Sequence, residues 1–178
     1  MTSAGLRRVL LIASAAMALT YGAAFGGDAS VPATADFSRS AVVVFVCEHG
    51  SSKSLVAAAL FNRMAEQRGL SQRAISRAVS SKSVDSQVPA RLIQNMSGDG
   101  FHVETFQPQA LTASEAAGAA RVVVINYDDD VDAAANLPVE RWGGVPPAGT
   151  DYENAKKSMG ARIETLLSSF GATGREAK

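Results

Sequence analysis

Cys47 is the only cysteine in the 178 residues, and Glu48, His49, Gly50, Ser51, Ser52, Lys53 and Ser54 follow it. Before it stands Val42-Val43-Val44-Phe45-Val46. That unbroken apolar run predicts a strand buried on both faces, because a half-exposed strand would alternate apolar with polar residues. From Ser54 the period changes: Val56, Leu60 and Met64 recur every fourth residue and Arg68-Gly69 ends the run, the pattern of a helix with a glycine stop. The unit is strand, tight loop, helix. The first N–H groups of a helix lack intrahelical partners and carry partial positive charge, so such a loop offers a ring of donors to a tetrahedral oxyanion. A cysteine at the rim is favoured as thiolate by the same field and by Lys53, and it is equipped to attack phosphorus or arsenic. The other fate of a lone cysteine is that of a small buried hydrophobe. Gly50, three serines and Lys53 are poor company for a core residue.

Cys47-Glu-His-Gly-Ser-Ser-Lys53-Ser54 resembles the C-x5-R-[ST] signature of the low-molecular-weight protein tyrosine phosphatases and of the arsenate reductases built on the same fold. The resemblance implies Cys47 as nucleophile, with the loop of Glu48, His49, Gly50, Ser51, Ser52 and Lys53 holding the phosphoryl oxygens through its amides. Lys53 then takes the place of the arginine that forks two of those oxygens, and Ser54 carries the hydroxyl that keeps the sulfur ionised. Lysine brings charge without the planar fork, so it is expected to hold the transition state less well. A further likeness lies downstream. Arg141-Trp142-Gly-Gly-Val145-Pro146-Pro147 resembles the Trp-x-x-Pro-Asp-Pro loop of the arsenate-reductase branch, with Pro146 at the place of the general-acid aspartate. Losing that acid removes a step worth about 10²- to 10⁴-fold. Asp151 is close enough in sequence to substitute. Thr150-Asp-Tyr-Glu153 also reads as a capping box, which accounts for Asp151 without catalysis.

The elements that position these residues follow in order. Arg73 to Ser80 has the length and alternation of a second strand, and Pro89 opens a helix with Leu92, Ile93 and Met96 on one side and Gly98-Asp99-Gly100 at its end. His102, on a short extended piece, reads as structural. Thr112-Ala-Ser-Glu115 is a capping box, and Arg121 to Asn126 is a second doubly buried strand. Asp128-Asp129-Asp130 beyond it reads as a solvated turn rather than a metal site, since three consecutive carboxylates cannot all face one ion. Ala155, Met159, Ile163, Leu166, Leu167 and Phe170 share the apolar face of a last helix. This order implies an α/β fold with a parallel sheet and helices on both faces. The resemblance makes it a three-layer sandwich whose four-stranded sheet runs 2-1-3-4.

Met1 to Ala24 has the three regions of a secretory signal peptide: Arg7-Arg8, an apolar stretch, then small residues. An uncleaved membrane anchor is the rival, and either predicts an exported domain, periplasmic or extracellular. Residues 25–40 read as a flexible spacer, 41–172 as the domain and 173–178 as a disordered tail. Without Arg7 and Arg8 the basic residues fall from 17 to 15 against 17 acids, and no basic stripe with aromatics marks a nucleic-acid surface. Lys53-Ser54 does not complete a nucleotide-binding G-x4-G-K-[ST] motif, because Cys47 and Ser52 stand where its glycines belong. No cofactor or metal is expected. One cysteine leaves no intramolecular thiol relay, so arsenate reduction would need an external thiol. The expected function is hydrolysis of phosphotyrosine protein or a small aryl phosphate through a phosphocysteine, and slowly. The alternative is a non-catalytic binder of a free oxyanion such as phosphate or arsenate, and arsenate reduction with an external thiol stands third.

Overall fold

The computed structural model describes residues 41–173, with side chains to Phe170. The expected leader (1–24), the spacer (25–40) and, beyond Thr173, the tail lie outside the described residues. The order is β1 (Val42–Cys47), α1 (Lys53–Gln67), β2 (Arg73–Ala78), α2 (Ala90–Gly98), α3 (Ala113–Gly118), β3 (Arg121–Ile125), β4 (Val139–Trp142) and α4 (Tyr152–Thr173), with one 3₁₀ turn at Asp132–Ala134. No helix among the described residues is long and apolar enough to cross a membrane.

The four strands form one parallel sheet in the order β2-β1-β3-β4. β1 is central and all six of its residues are buried, as its unbroken apolar run requires. Successive side chains on a strand point to opposite faces, which splits β1 between two cores. Val43, Phe45 and Cys47 join residues of α1, α2 and α4, while Val42, Val44 and Val46 join Leu111, α3 and the 3₁₀ turn. Helices therefore cover both faces. The register Cys47↔Ala78 brings the ends of β1 and β2 level, so the loops leaving them run side by side.

Two expectations are corrected. In α1, Leu60 and Met64 lie at the margin of the core, whereas Leu55, Ala58, Phe61 and Ala65 are fully buried. Small alanines let this helix approach the sheet closely, so almost its whole circumference is covered and the every-fourth-residue stripe does not mark the buried face. The capping box at Thr112 forms in full, with Glu115 N–H donating to Thr112 Oγ1 and Thr112 N–H to Glu115 Oε2. The one expected at Thr150 does not form: Glu153 pairs with Lys156 instead, and the Asp151 carboxylate accepts from Asn154 Nδ2. The fourth strand, which the residues themselves did not announce, is short and carries exposed Glu140 and Arg141.

Candidate active site

Cys47 ends β1, Lys53 opens α1, and the loop between them closes into a cradle at the carboxyl edge of the sheet, where ligands of parallel α/β sheets bind. Gly50 makes the tight closure possible. Its φ of +72° is left-handed, and a Cβ there would stand 2.7 Å from the Ala78 main-chain nitrogen. Only a residue without a side chain meets both conditions.

Two features leave the cradle's donors open. The first turn of α1 has no side-chain cap and no acidic residue, unlike α3. Among the described residues, none of the main-chain N–H groups from Glu48 to Lys53 donates to another protein atom. Buried or half-buried N–H groups are otherwise almost always paired, so the open row at the buried or half-buried residues Gly50 to Lys53 suits an anion. Several carbonyls of the same loop are occupied: Cys47 O accepts from Val79 N–H, His49 O from Asp85 N–H, and Gly50 O from Ser76 Oγ. The loop is thus fastened by its acceptors while its donors stay available.

Cys47 Sγ lies 2.9 Å from Ser54 Oγ, and both residues are buried. Ser54 Oγ in turn lies 2.8 Å from Ser76 Oγ, a fully buried residue of β2. Lys53 is half-buried and makes no hydrogen bond or ion pair with any described residue, which leaves its ammonium for an incoming anion. Glu48 and His49 turn their side chains outward, at 62% and 49% exposure. Of the loop residues expected to bind phosphate, these two therefore offer main chain only. His49 Nδ1–H donates to Ser83 O at 2.9 Å.

The structure also shows partners that the sequence did not single out. Ser76 supports Ser54. Asp85, on the segment between β2 and α2, accepts a hydrogen bond from the buried Ser51 hydroxyl of the cradle. Asn126, at the end of β3 with φ +48°, pairs both ways with Val145, its Nδ2 donating to Val145 O and its Oδ1 accepting from Val145 N–H. It holds down the loop that carries Pro146. Ser76 lies within β2 and Asp85 on the segment well beyond it; of the three, only Asn126 is a short polar residue just past a strand end, which is a cue the sequence offers. Trp142 is buried against Phe45, with ring centroids 5.4 Å apart, and its Nε1–H donates to Glu140. It packs the loop down. His102 is exposed and forms no part of the cradle.

Comparison with known proteins agrees with this geometry. The family model of the low molecular weight phosphotyrosine protein phosphatases matches residues 42–141. An arsenate reductase from Archaeoglobus fulgidus is similar at 25% identity and a TM-score of 0.58, over 71% of this chain and 98% of that one. A protein tyrosine phosphatase from Entamoeba histolytica shares the fold at 13% identity and a TM-score of 0.62, over 75% and 98%. So does YfkJ from Bacillus subtilis, at 14% and 0.63, over 79% and 98%. A search of curated proteins returned no match. With its single cysteine at the rim of an open amide cradle and the family match running from β1 through β4, the chain belongs to the low molecular weight phosphotyrosine protein phosphatase family.

Proposed function

We propose that the protein hydrolyses phosphate monoesters, of phosphotyrosine protein or small aryl phosphates, through a phosphocysteine on Cys47. The observation that carries this is the pairing of Cys47 Sγ with Ser54 Oγ beside six unpaired loop amides. In this reading the amides of residues 48–53 and the Lys53 ammonium hold three phosphoryl oxygens, and the Ser54 hydroxyl donates to the sulfur when it is ionised. Oriented donors in a partly dry site stabilise the charge of the transition state without reorganising. Lysine in place of a forked arginine makes the enzyme slow. The domain works outside the cell, in the reading that residues 1–24 direct its export.

The test is hydrolysis of p-nitrophenyl phosphate by the reduced chain. Cys47→Ser is expected to abolish turnover and Lys53→Arg to raise it. Turnover that survives Cys47→Ser refutes the proposal. No turnover, with inorganic phosphate still bound by both forms, would establish an oxyanion-binding protein instead. A second reading is arsenate reduction, favoured by the 25% identity to the Archaeoglobus enzyme. The lone cysteine then requires an external thiol, and arsenite release dependent on added thiol is its measurement.

A further inference from the structure

A phosphocysteine mechanism needs a proton for the leaving oxygen, and the loop of residues 143–149 contains no acidic residue. Both Asp151 oxygens accept from the Asn154 amide within the first turn of α4. Another carboxylate is fastened directly to the cradle. The segment after β2 is stapled to the loop by three bonds: Asp85 N–H to His49 O, His49 Nδ1–H to Ser83 O, and Ser51 Oγ–H to the Asp85 carboxylate. Ser51 is wholly buried within the cradle, and Asp85 is half-buried beside it. Such a carboxylate is held in place and still reached by solvent.

We propose that Asp85 is the general acid of this site, replacing the acid that Pro146 displaces; the inference rests on the cysteine-hydrolase reading. As Cys47 Sγ bonds to phosphorus, the bond from phosphorus to the ester oxygen breaks and its electron pair stays on that oxygen. The Asp85 carboxyl gives that oxygen its proton, and the alcohol or phenol leaves. In the second half, the Asp85 carboxylate takes a proton from water while the water oxygen bonds to phosphorus. The sulfur–phosphorus bond breaks, its pair returns to Cys47, and phosphate departs. Each turnover consumes one ester and one water and restores both side chains.

A general acid matters most when the leaving group is poor. Phenolate is a poorer leaving group than p-nitrophenolate, so the ratio of kcat/KM for phenyl phosphate and p-nitrophenyl phosphate reads the acid's contribution. In the full chain, Asp85→Asn is expected to lower the phenyl ester's kcat/KM by about 100-fold, and the nitrophenyl ester's by under about tenfold. Ser51→Ala frees the carboxyl from its anchor but keeps both the carboxyl and the loop amide. It is expected to show the same selectivity at smaller size, and it decides the matter if Asp85→Asn fails to fold. An equal loss on both esters makes Asp85 a support of the cradle, and no loss makes it a bystander; either overturns the inference and leaves the cysteine chemistry standing. Selective loss in Asp151→Asn, with Asp85→Asn unaffected, assigns the acid to Asp151 and also overturns it. Turnover persisting in Cys47→Ser overturns the parent reading and this one together.

Discussion

Four atoms in a row, Cys47 Sγ, Ser54 Oγ, Ser76 Oγ and Gly50 O, are joined by three contacts of 2.8 to 2.9 Å. Each hydroxyl has one proton to give. Ser76 Oγ faces both Ser54 Oγ and Gly50 O as a donor, so its one proton is shared between them. Ser54 accepts from Ser76 and keeps its own proton for Cys47 Sγ. That bond is strongest when the sulfur is an anion. The bond from Ser54 to an anionic sulfur is the charge-assisted one, worth about 1.5–3 kcal/mol. Ser54→Ala is expected to slow alkylation of Cys47 by iodoacetamide roughly tenfold or more at neutral pH. An unchanged alkylation rate would show that Ser54 does nothing for the sulfur. Cys47, Lys53 and Ser54 were legible in the sequence because they sit in one contiguous motif. Ser76 and Asp85 were not: they arrive from 22 and 34 residues beyond the residues they bond, and only the fold brings them there.

The elements were legible where burial was complete and obscure where it was partial. β1 and β3 announced themselves as apolar runs, whereas β4 shows Val139, Glu140, Arg141 and Trp142 with only the last fully buried, at the edge of the sheet. An edge strand of four residues carries too little pattern to stand apart from a loop. The cradle belongs to this same scale, since it depends on how closely β1's exit lies against β2's. Gly50→Ala would place a methyl group 2.7 Å from the Ala78 nitrogen, and a main-chain atom cannot swing aside. The left-handed φ adds about 1–2 kcal/mol for any residue with a Cβ. The variant is expected to lose stability by at least that amount in urea unfolding. On the proposed function inorganic phosphate is expected to stabilise the native chain, and the variant is expected to lose that stabilisation, because the loop amides can no longer converge. Retention of both would mean that the loop has another conformation open to it.

At the scale of the molecule, the sheet divides a thick core, built with α1, α2 and α4, from a thin one, built with the six-residue α3 and a single 3₁₀ turn. A parallel sheet must be covered on both faces, and so short a helix covers its side only if something fixes it there. Arg77 of β2 supplies that fixture. Its side chain is 1% exposed, and its Nε and Nη2 donate to the carboxylate of Glu115 on α3 at 2.6 to 3.1 Å. The same carboxylate closes the capping box on Thr112, so one side chain both starts the helix and anchors it. Burial acts to raise the pKa of Glu115. The hydrogen bonds from Arg77 and Thr112, with the Arg77 charge, outweigh it and hold the pKa below the usual 4.5. A carboxylate depressed in the folded state contributes stability that is fully present above its unfolded pKa and is lost as pH falls through its folded one. Glu115→Gln keeps the shape but removes the charge of the carboxylate that the buried Arg77 guanidinium holds, at a cost of about 3 kcal/mol near neutral pH. The variant should therefore trail the native chain by that margin in urea at about pH 7, and the margin should shrink as pH falls below the usual carboxylate range, where the unfolded chain takes up the proton first and the native carboxylate follows. A margin that stays constant across this range would show that Glu115 supports the thin face through shape and capping alone, with no contribution from its charge.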